Sequence, residues 1–149
     1  MTVLPAGLPG PRPGADGLEE PYWNGTRTHE LMVQRCARCA TWRWGPEWLC
    51  FACHSFDTER LSVEPCGAVF SWERVWHPVH PALNDAVPYV VVLVELAHAG
   101  GVRMVGNLRR RSPAERGHGR PGGVVFEDHD EGDAPYTLVH WVTDRGGHR

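Results

Sequence analysis

Two C-x-x-C turns, Cys36-Ala-Arg-Cys39 and Cys50-Phe-Ala-Cys53, most constrain how this chain can fold. Each turn presents two thiolates together, and the ten residues between the pairs suffice for a short hairpin that brings the second pair opposite the first. Four thiolates so placed can surround one tetrahedral ion, which predicts a structural zinc site in a zinc ribbon. A closed set of four sulfurs leaves no position for water or substrate, so the ion is expected to supply folding free energy rather than Lewis acidity. Competing readings are an iron centre as in rubredoxin, a redox pair, and disulfides. Rubredoxins usually have a longer spacer, a redox pair needs one turn on a βαβ scaffold, and disulfides need an oxidising compartment. The fifth cysteine, Cys66, stands alone beside Gly67 and reads as a small packed residue.

Met1 to Glu20 holds four prolines and four glycines without a basic start and apolar run. It is not a secretory signal, and the cytoplasm is the expected compartment. The most hydrophobic run, Val87 to Leu96, contains Pro88 and Glu95 and falls short of the roughly eighteen apolar residues that cross a bilayer. Residues 1–19 read as a flexible Pro/Gly-rich arm. Pro21-Tyr22-Trp23 opens a short helix, and Glu30 to Arg35 is a strand that feeds the first knuckle. Trp42, Trp44 and Trp48 crowd the hairpin between the knuckles. They shield the metal site and join it to the next domain, or anchor a partner.

Beyond the second knuckle the pattern turns to period two. Five strands can be drawn at Gly67–His77, Tyr89–Ala97, Val102–Leu108, Gly123–Asp128 and Tyr136–Val142. Three prolines with Asn84-Asp85, then Gly100-Gly101 and Glu131-Gly132-Asp133, mark turns between them. Five short strands with a longer connection after the third fit an OB-fold, although periodicity alone does not separate it from another small barrel. The expected architecture is therefore mainly β: a short helix and zinc ribbon over 20–62, a five-stranded OB-fold barrel over 63–144, and a tail over 145–149.

The chain is short of chemistry. It has no lysine, which excludes Schiff-base catalysis by that residue. No G-x-S-x-G is present, and His77, His80, His98, His118, His129, His140 and His148 show no ligand spacing. The acidic run Glu127 to Asp133 lacks EF-hand spacing and reads as a solvated turn. A net charge of −3 with an isoelectric point near 6.3 argues against a general phosphate-backbone binder.

Pro21-Tyr22-Trp23, the Leu31-x-Val33-Gln34-Arg35-Cys36 approach, both knuckles, Gly67-Ala-Val-Phe-Ser-Trp72, Pro88-Tyr-Val-Val-Val-Leu-Val-Glu95 and Val125-Phe-Glu-Asp128 occur in an informative order. Over Glu20 to Val142 the chain resembles the rubredoxin-like zinc ribbons fused to an OB-fold, a family first known as a domain of unknown function. It departs in the Arg/Gly-rich segment Arg109 to Gly122 and lacks the usual proline-and-arginine close. The resemblance implies a non-catalytic accessory subunit in a hetero-oligomer with a thiolase-superfamily enzyme, helping to bind acyl-CoA. The leading version is an aldolase (carbon–carbon lyase) complex that shortens lipid or steroid side chains; thiolase and acyltransferase complexes are the others. Catalytic groups would lie on the larger subunit.

Coenzyme A calls for arginine near aromatic surface. Arg74, Trp76, Arg103, Arg109 and Arg110 are the expected ligand-binding residues, with Arg111, Trp72 and Tyr89 nearby in sequence. Tyr22, Trp23, Trp42 and Trp44 are the expected partner-binding residues. The alternative is a single-stranded nucleic-acid-binding ribbon and OB-fold, whose aromatics would stack bases.

Overall fold

A computed structural model describes residues 5, 7–110, 122–131 and 134–143. Helix α1 spans Glu20–Arg27. Pro21 sits in the first turn, where a missing N–H costs nothing, and Glu20 and Arg27 complement the helix dipole at its two ends. A Cβ on Gly25 would run into the Met32 side chain, so glycine is what lets the helix lie close on the next strand. Strands β1 (Leu31–Cys36), β2 (Trp42–Arg43) and β3 (Thr58–Val63) form a three-stranded sheet with β1 central and both neighbours antiparallel to it.

The strand β3 was not expected. Thr-Glu-Arg-Leu-Ser-Val neither alternates cleanly nor buries a face, because all but exposed Ser62 are half-buried. It is held by pairing with β1 from Leu31↔Val63 to Cys36↔Thr58, and Arg35 reaches across the pair to Glu59 at 2.8 Å.

The second sheet contains β4 (Ala68–Val75), β5 (Tyr89–Leu96), β6 (Val102–Arg110), β7 (Val124–His129) and β8 (Tyr136–Thr143). Its order is β4-β5-β6-β8-β7, antiparallel except for the parallel β6–β8 pair. This is the expected five-stranded arrangement, with each strand within three residues of its expected bounds. Among the described residues the ladder does not close into a continuous barrel. Its two edges meet there through the isolated Cys66/Gly123 bridge and the Gly67 N–H to Gly122 carbonyl bond of 3.0 Å. An extra residue bulges between Val69 and Ser71, and such bulges bend a strand and raise its twist.

One face of this sheet carries Val92, Val94, Leu96, Met104 and Trp141, all at most 2 % exposed, and the ribbon adds Leu31 and Val33 at 0 %. Ribbon and sheet thus share one core. Trp42 completes the joint by lying on Gly100, where a Cβ would come within 2.6 Å of the indole; Gly100 also holds φ +67°. On the far flank, Arg27 donates to Thr137 Oγ1 at 3.2 Å and pairs with Asp130 at 2.8 Å. His29 meets Asp128 at 2.9 Å and stacks on Phe126.

The Pro/Gly-rich arm, expected to be free, touches this assembly. Gly7 lies beside Ala82 and Gly10 beside Tyr136. Pro5 and Leu8 join Leu83, Tyr89, Val90 and Leu108 around an apolar cavity of about 240 Å³. No helix among the described residues is long and apolar enough to cross a membrane.

Trp141→Ala should lower unfolding stability by about 3–5 kcal/mol, as truncation of a buried tryptophan does. Trp72→Ala, at an exposed site, should stay within about 0.5 kcal/mol. Urea unfolding followed by far-UV circular dichroism tests both, and equal costs would refute the placement of the core.

Candidate metal centre

The two knuckles are built alike. In the first, Cys36 N–H donates to Thr41 O at 2.9 Å and Ala40 N–H to Cys36 O at 2.9 Å; in the second, Cys50 N–H donates to Ser55 O at 2.9 Å and His54 N–H to Cys50 O at 2.8 Å. Ala40 and His54, each just after the second cysteine of its pair, take φ of +60° and +56°. That repeated left-handed step folds the chain back tightly enough to aim both sulfurs of each turn at one point.

All four Sγ atoms lie within 4.8 Å of one another, and Cys36–Cys53 and Cys39–Cys50 are both 3.6 Å apart. A disulfide needs about 2.05 Å, so no pair is bonded. Metal–sulfur bonds of about 2.3 Å in a tetrahedron give sulfur–sulfur edges of about 3.8 Å. The residues therefore fit a tetrahedral, thiophilic ion, with Cys36 and Cys50 buried and Cys39 at the surface. The Thr41 hydroxyl, then its backbone N–H, favours the thiolate of Cys39 and lowers its pKa to about 6. Backbone N–H groups of Cys53 and Ala52 act similarly on Cys50. Against the Ser55 N–H, burial and the three neighbouring sulfurs push Cys53 the other way, up to about 12, so part of the set ionises readily and the last proton leaves only when a cation arrives. Around this centre, Gln34 locks the spacer by donating to Glu47 O at 2.7 Å and accepting from Glu47 N–H at 2.9 Å.

The expected ligand-binding residues are not gathered into one site. Arg103 pairs with Glu95 at 3.0 Å and lies over the Phe70 ring at 3.4 Å, while Arg74 lies over Trp76 at 5.7 Å. Arg109 stands on the same face of β6 as Arg103 but six residues away, about 20 Å along the strand. Arg110 ends β6 with its side chain outside the described residues, as is Arg111.

The aromatics divide between the core and the surface. Tyr22 packs edge-on against Trp23 and Trp44, and burial raises its phenol pKa to about 12. Trp42 and Trp44 pack on the core, and Trp23 reaches Glu19 at 3.4 Å. The residues that face solvent are Trp48, Leu49, Phe51 and Phe56, at 43–73 % exposure. A signal for Phe51 was present: with Cys50 and Cys53 turned to the metal, the residues between them must point away.

Residues 23–59 match the family model described as the ChsH2 rubredoxin-like zinc ribbon domain. A solved chain titled Ltp2-ChsH2(DUF35) aldolase is 34 % identical, with a TM-score of 0.65, over 89 % of this chain and 98 % of that one. The chain belongs to the ChsH2/DUF35 family. Two longer relatives carry the same segment. One is the probable enoyl-CoA hydratase alpha subunit of Thermomonospora curvata, 37 % identical over 86 % of this chain and 38 % of that protein. The other is the 3-oxo-4,17-pregnadiene-20-carboxyl-CoA hydratase alpha subunit of Mycobacterium tuberculosis, 32 % identical over 83 % and 37 %. The chain spans less than two fifths of the length of these curated relatives.

A second polar cluster lies across β7 and β8. Glu127 bridges His129 at 2.9 Å and His140 at 3.3 Å, and His140 is 1 % exposed. Burial lowers the His140 pKa, Arg109 and His129 add to the shift, and the Glu127 carboxylate opposes it without prevailing.

Two outcomes are expected. Chelation of the metal, or Cys50→Ser, should unfold the ribbon and expose the core it shares with the sheet, read as a cooperative loss of near-UV circular dichroism that one equivalent of zinc restores after chelation but not in the variant. For His140, the unfolded chain takes up a proton near pH 6.5 that the folded chain refuses until lower pH. Stability should therefore fall as pH drops below about 6.5 into the mildly acidic range. His140→Gln should flatten that fall in melting temperature. Asp128, whose carboxyl is held below its usual range by the Thr137 hydroxyl and by His29 and Arg27, titrates beneath this window.

Proposed function

We propose that this chain is a non-catalytic accessory subunit that binds a thiolase-superfamily enzyme and shapes the site where that enzyme meets an acyl-CoA thioester. The leading version of the reading is an aldolase, a carbon–carbon lyase acting on a steroid or other lipid side chain. The observation that carries it is the near-complete match to the DUF35 chain of the Ltp2-ChsH2 aldolase. The second hydratase relative, named for a steroid-derived CoA thioester, supports the substrate class.

The geometry supports an accessory role. The four-thiolate centre, taken as structural zinc, is coordinatively closed. Among the described residues Cys66 lies at the sheet junction, the Glu127–His140 pair is buried, and the hydroxyls that meet carboxylates, Thr137 with Asp128 and Ser55 with Asp57, are themselves buried away from substrate. The ribbon region 20–62 and the sheet region 63–144 would act as one rigid unit through their common core. Arg74 on the exposed strand β4 and Trp76 just beyond its end remain the best placed of the expected CoA contacts.

Exposed Trp72 and Trp76 also favour a second reading, single-stranded nucleic acid stacked on the sheet, against which the net charge stands.

The test is affinity purification of the tagged chain from its native cell extract, mass spectrometry of co-eluting proteins, and assay of the eluate against acyl-CoA thioesters. Near-equal recovery of a thiolase-superfamily protein with thioester-dependent activity is expected, and omission of the chain should cost that enzyme activity or stability. Recovery of nucleic acid alone, or full activity of the enzyme without the chain, would overturn the reading.

A further inference from the structure

The edge strand β4 is uncovered in a way that proteins usually avoid. Every residue from Ala68 to Arg74 is exposed, and among the described residues the strand pairs with β5 alone. Phe70, Trp72 and Trp76 present 54 %, 62 % and 62 % of their surfaces. Its neighbour row, Ser71–Leu93–Val105, is in register across three strands, and Val105 is 65 % exposed. A shallow groove of about 340 Å³ runs along this row beside Trp72, Glu73 and Val91.

Edges are ordinarily guarded by charged side chains, proline, short length or a bulge. Here the strand is eight residues long and contains no proline, its charges are the single pair Glu73 and Arg74, and its bulge lies near one end, beyond which Ser71 to Val75 run regularly against β5. Among the described residues it is the segment just before the strand, Cys66 and Gly67, that meets the opposite edge. The three aromatics leave roughly 300–400 Å² in water, about half of the ~800 Å² that one side of a standard interface buries. A backbone edge flanked by that much aromatic surface has the features of a β-augmentation site, where main-chain bonds give affinity and alternate side chains give selectivity.

The occupant can be argued from charge. A second copy pairing antiparallel about a two-fold axis places like residues opposite at the centre. Centring on Glu73 or Arg74 sets equal charges face to face, and centring on Trp72 runs into the bulge at Phe70 after one further pair on each side. A heterologous strand escapes both conflicts. We infer that β4 is completed by an extended, apolar segment of the thiolase-superfamily subunit, carrying a basic residue opposite Glu73 and an acidic residue opposite Arg74. This inference rests on the accessory-subunit reading and locates its interface.

The test uses the full chain and the purified thiolase-superfamily subunit recovered with it. Trp72→Glu places a charge on the exposed edge, and the double variant E73R/R74E reverses the charge order without altering net charge or apolar area. Calorimetric titration should show Trp72→Glu weakening binding at least ~30-fold, as loss of a hot-spot anchor does, and E73R/R74E at least ~10-fold. Phe51→Glu and Phe56→Glu on the ribbon should stay within ~3-fold, while melting temperature and zinc content remain those of the wild type in all four. Amides of residues 70–75 should gain hydrogen-exchange protection in the complex.

Wild-type affinity in both β4 variants, or protection confined to the ribbon, would overturn the inference while leaving the accessory role intact. A fall in the chain's own sedimentation mass on Trp72→Glu would assign the edge to a second copy and overturn it as well. Binding of a single-stranded oligonucleotide that Trp72→Glu abolishes would give the edge to nucleic acid. Failure of the wild-type chain to bind the enzyme at all would instead overturn the accessory reading from which the inference starts.

Discussion

A ribbon of some forty residues cannot bury enough apolar surface to hold its own shape, and everything else here follows from how that deficit is met. Four sulfurs converge at one end of β1, and Leu31 and Val33 enter a core whose other members come from the five-stranded sheet. The same strand does both. Alternate residues of β1 are therefore committed in opposite ways: Leu31 and Val33 pack against the sheet, Gln34 ties down the spacer, and Cys36 turns to the metal. Metal binding and sheet packing are coupled because only Gln34 and Arg35 separate Val33 from Cys36 on one strand.

Polar contacts fix the remaining freedom. Two structures joined through a few aliphatic side chains could still rock about that contact, but α1 is clipped to the distal strands by Arg27, His29, Asp128, Asp130 and Thr137. Asp128 is the hub, accepting from the Thr137 hydroxyl at 2.6 Å while facing His29 and Arg27. These groups are partly exposed, so their Coulomb energy is screened and each is worth little alone. Their value is geometric, since they set the angle at which ribbon and sheet meet.

The metal centre was legible because thiolate spacing is a covalent constraint that tertiary context cannot override, and the helix and the five long strands because their periods are strong. The strand β3 was invisible because its stability lies in pairing with β1, not in any pattern of its own. The open sheet was hidden too, since the pairing of first and last strands is a long-range contact and the bulge at Phe70 has no local motif that announces it. The aromatics were legible as a group and illegible singly. Tyr22, Trp42 and Trp44 cannot be told from Trp48, Trp72 and Trp76 by type, and only the fold decides which of them turn inward.

The absence of lysine acquires meaning once the arginines are placed. Arg35 lies over Trp42, Arg74 over Trp76 and Arg103 over Phe70, and Arg35 and Arg103 are also tied to Glu59 and Glu95. A planar, weakly hydrated guanidinium can stack on a ring and hold a carboxylate in its own plane at once, which an ammonium cannot do. Such arginines flatten and cover aromatic surface while keeping it rigid. A phosphate arriving at Arg35 or Arg103 must displace an acidic partner already in place, whereas Arg74, stacked on Trp76 beside the open edge of β4, presents its charge without one among the described residues. The surface is thus better suited to a partner that covers flat aromatic area than to a polyanion that needs many unpaired cations, and in the proposed accessory role contacts with a CoA thioester would be shared with the partner subunit.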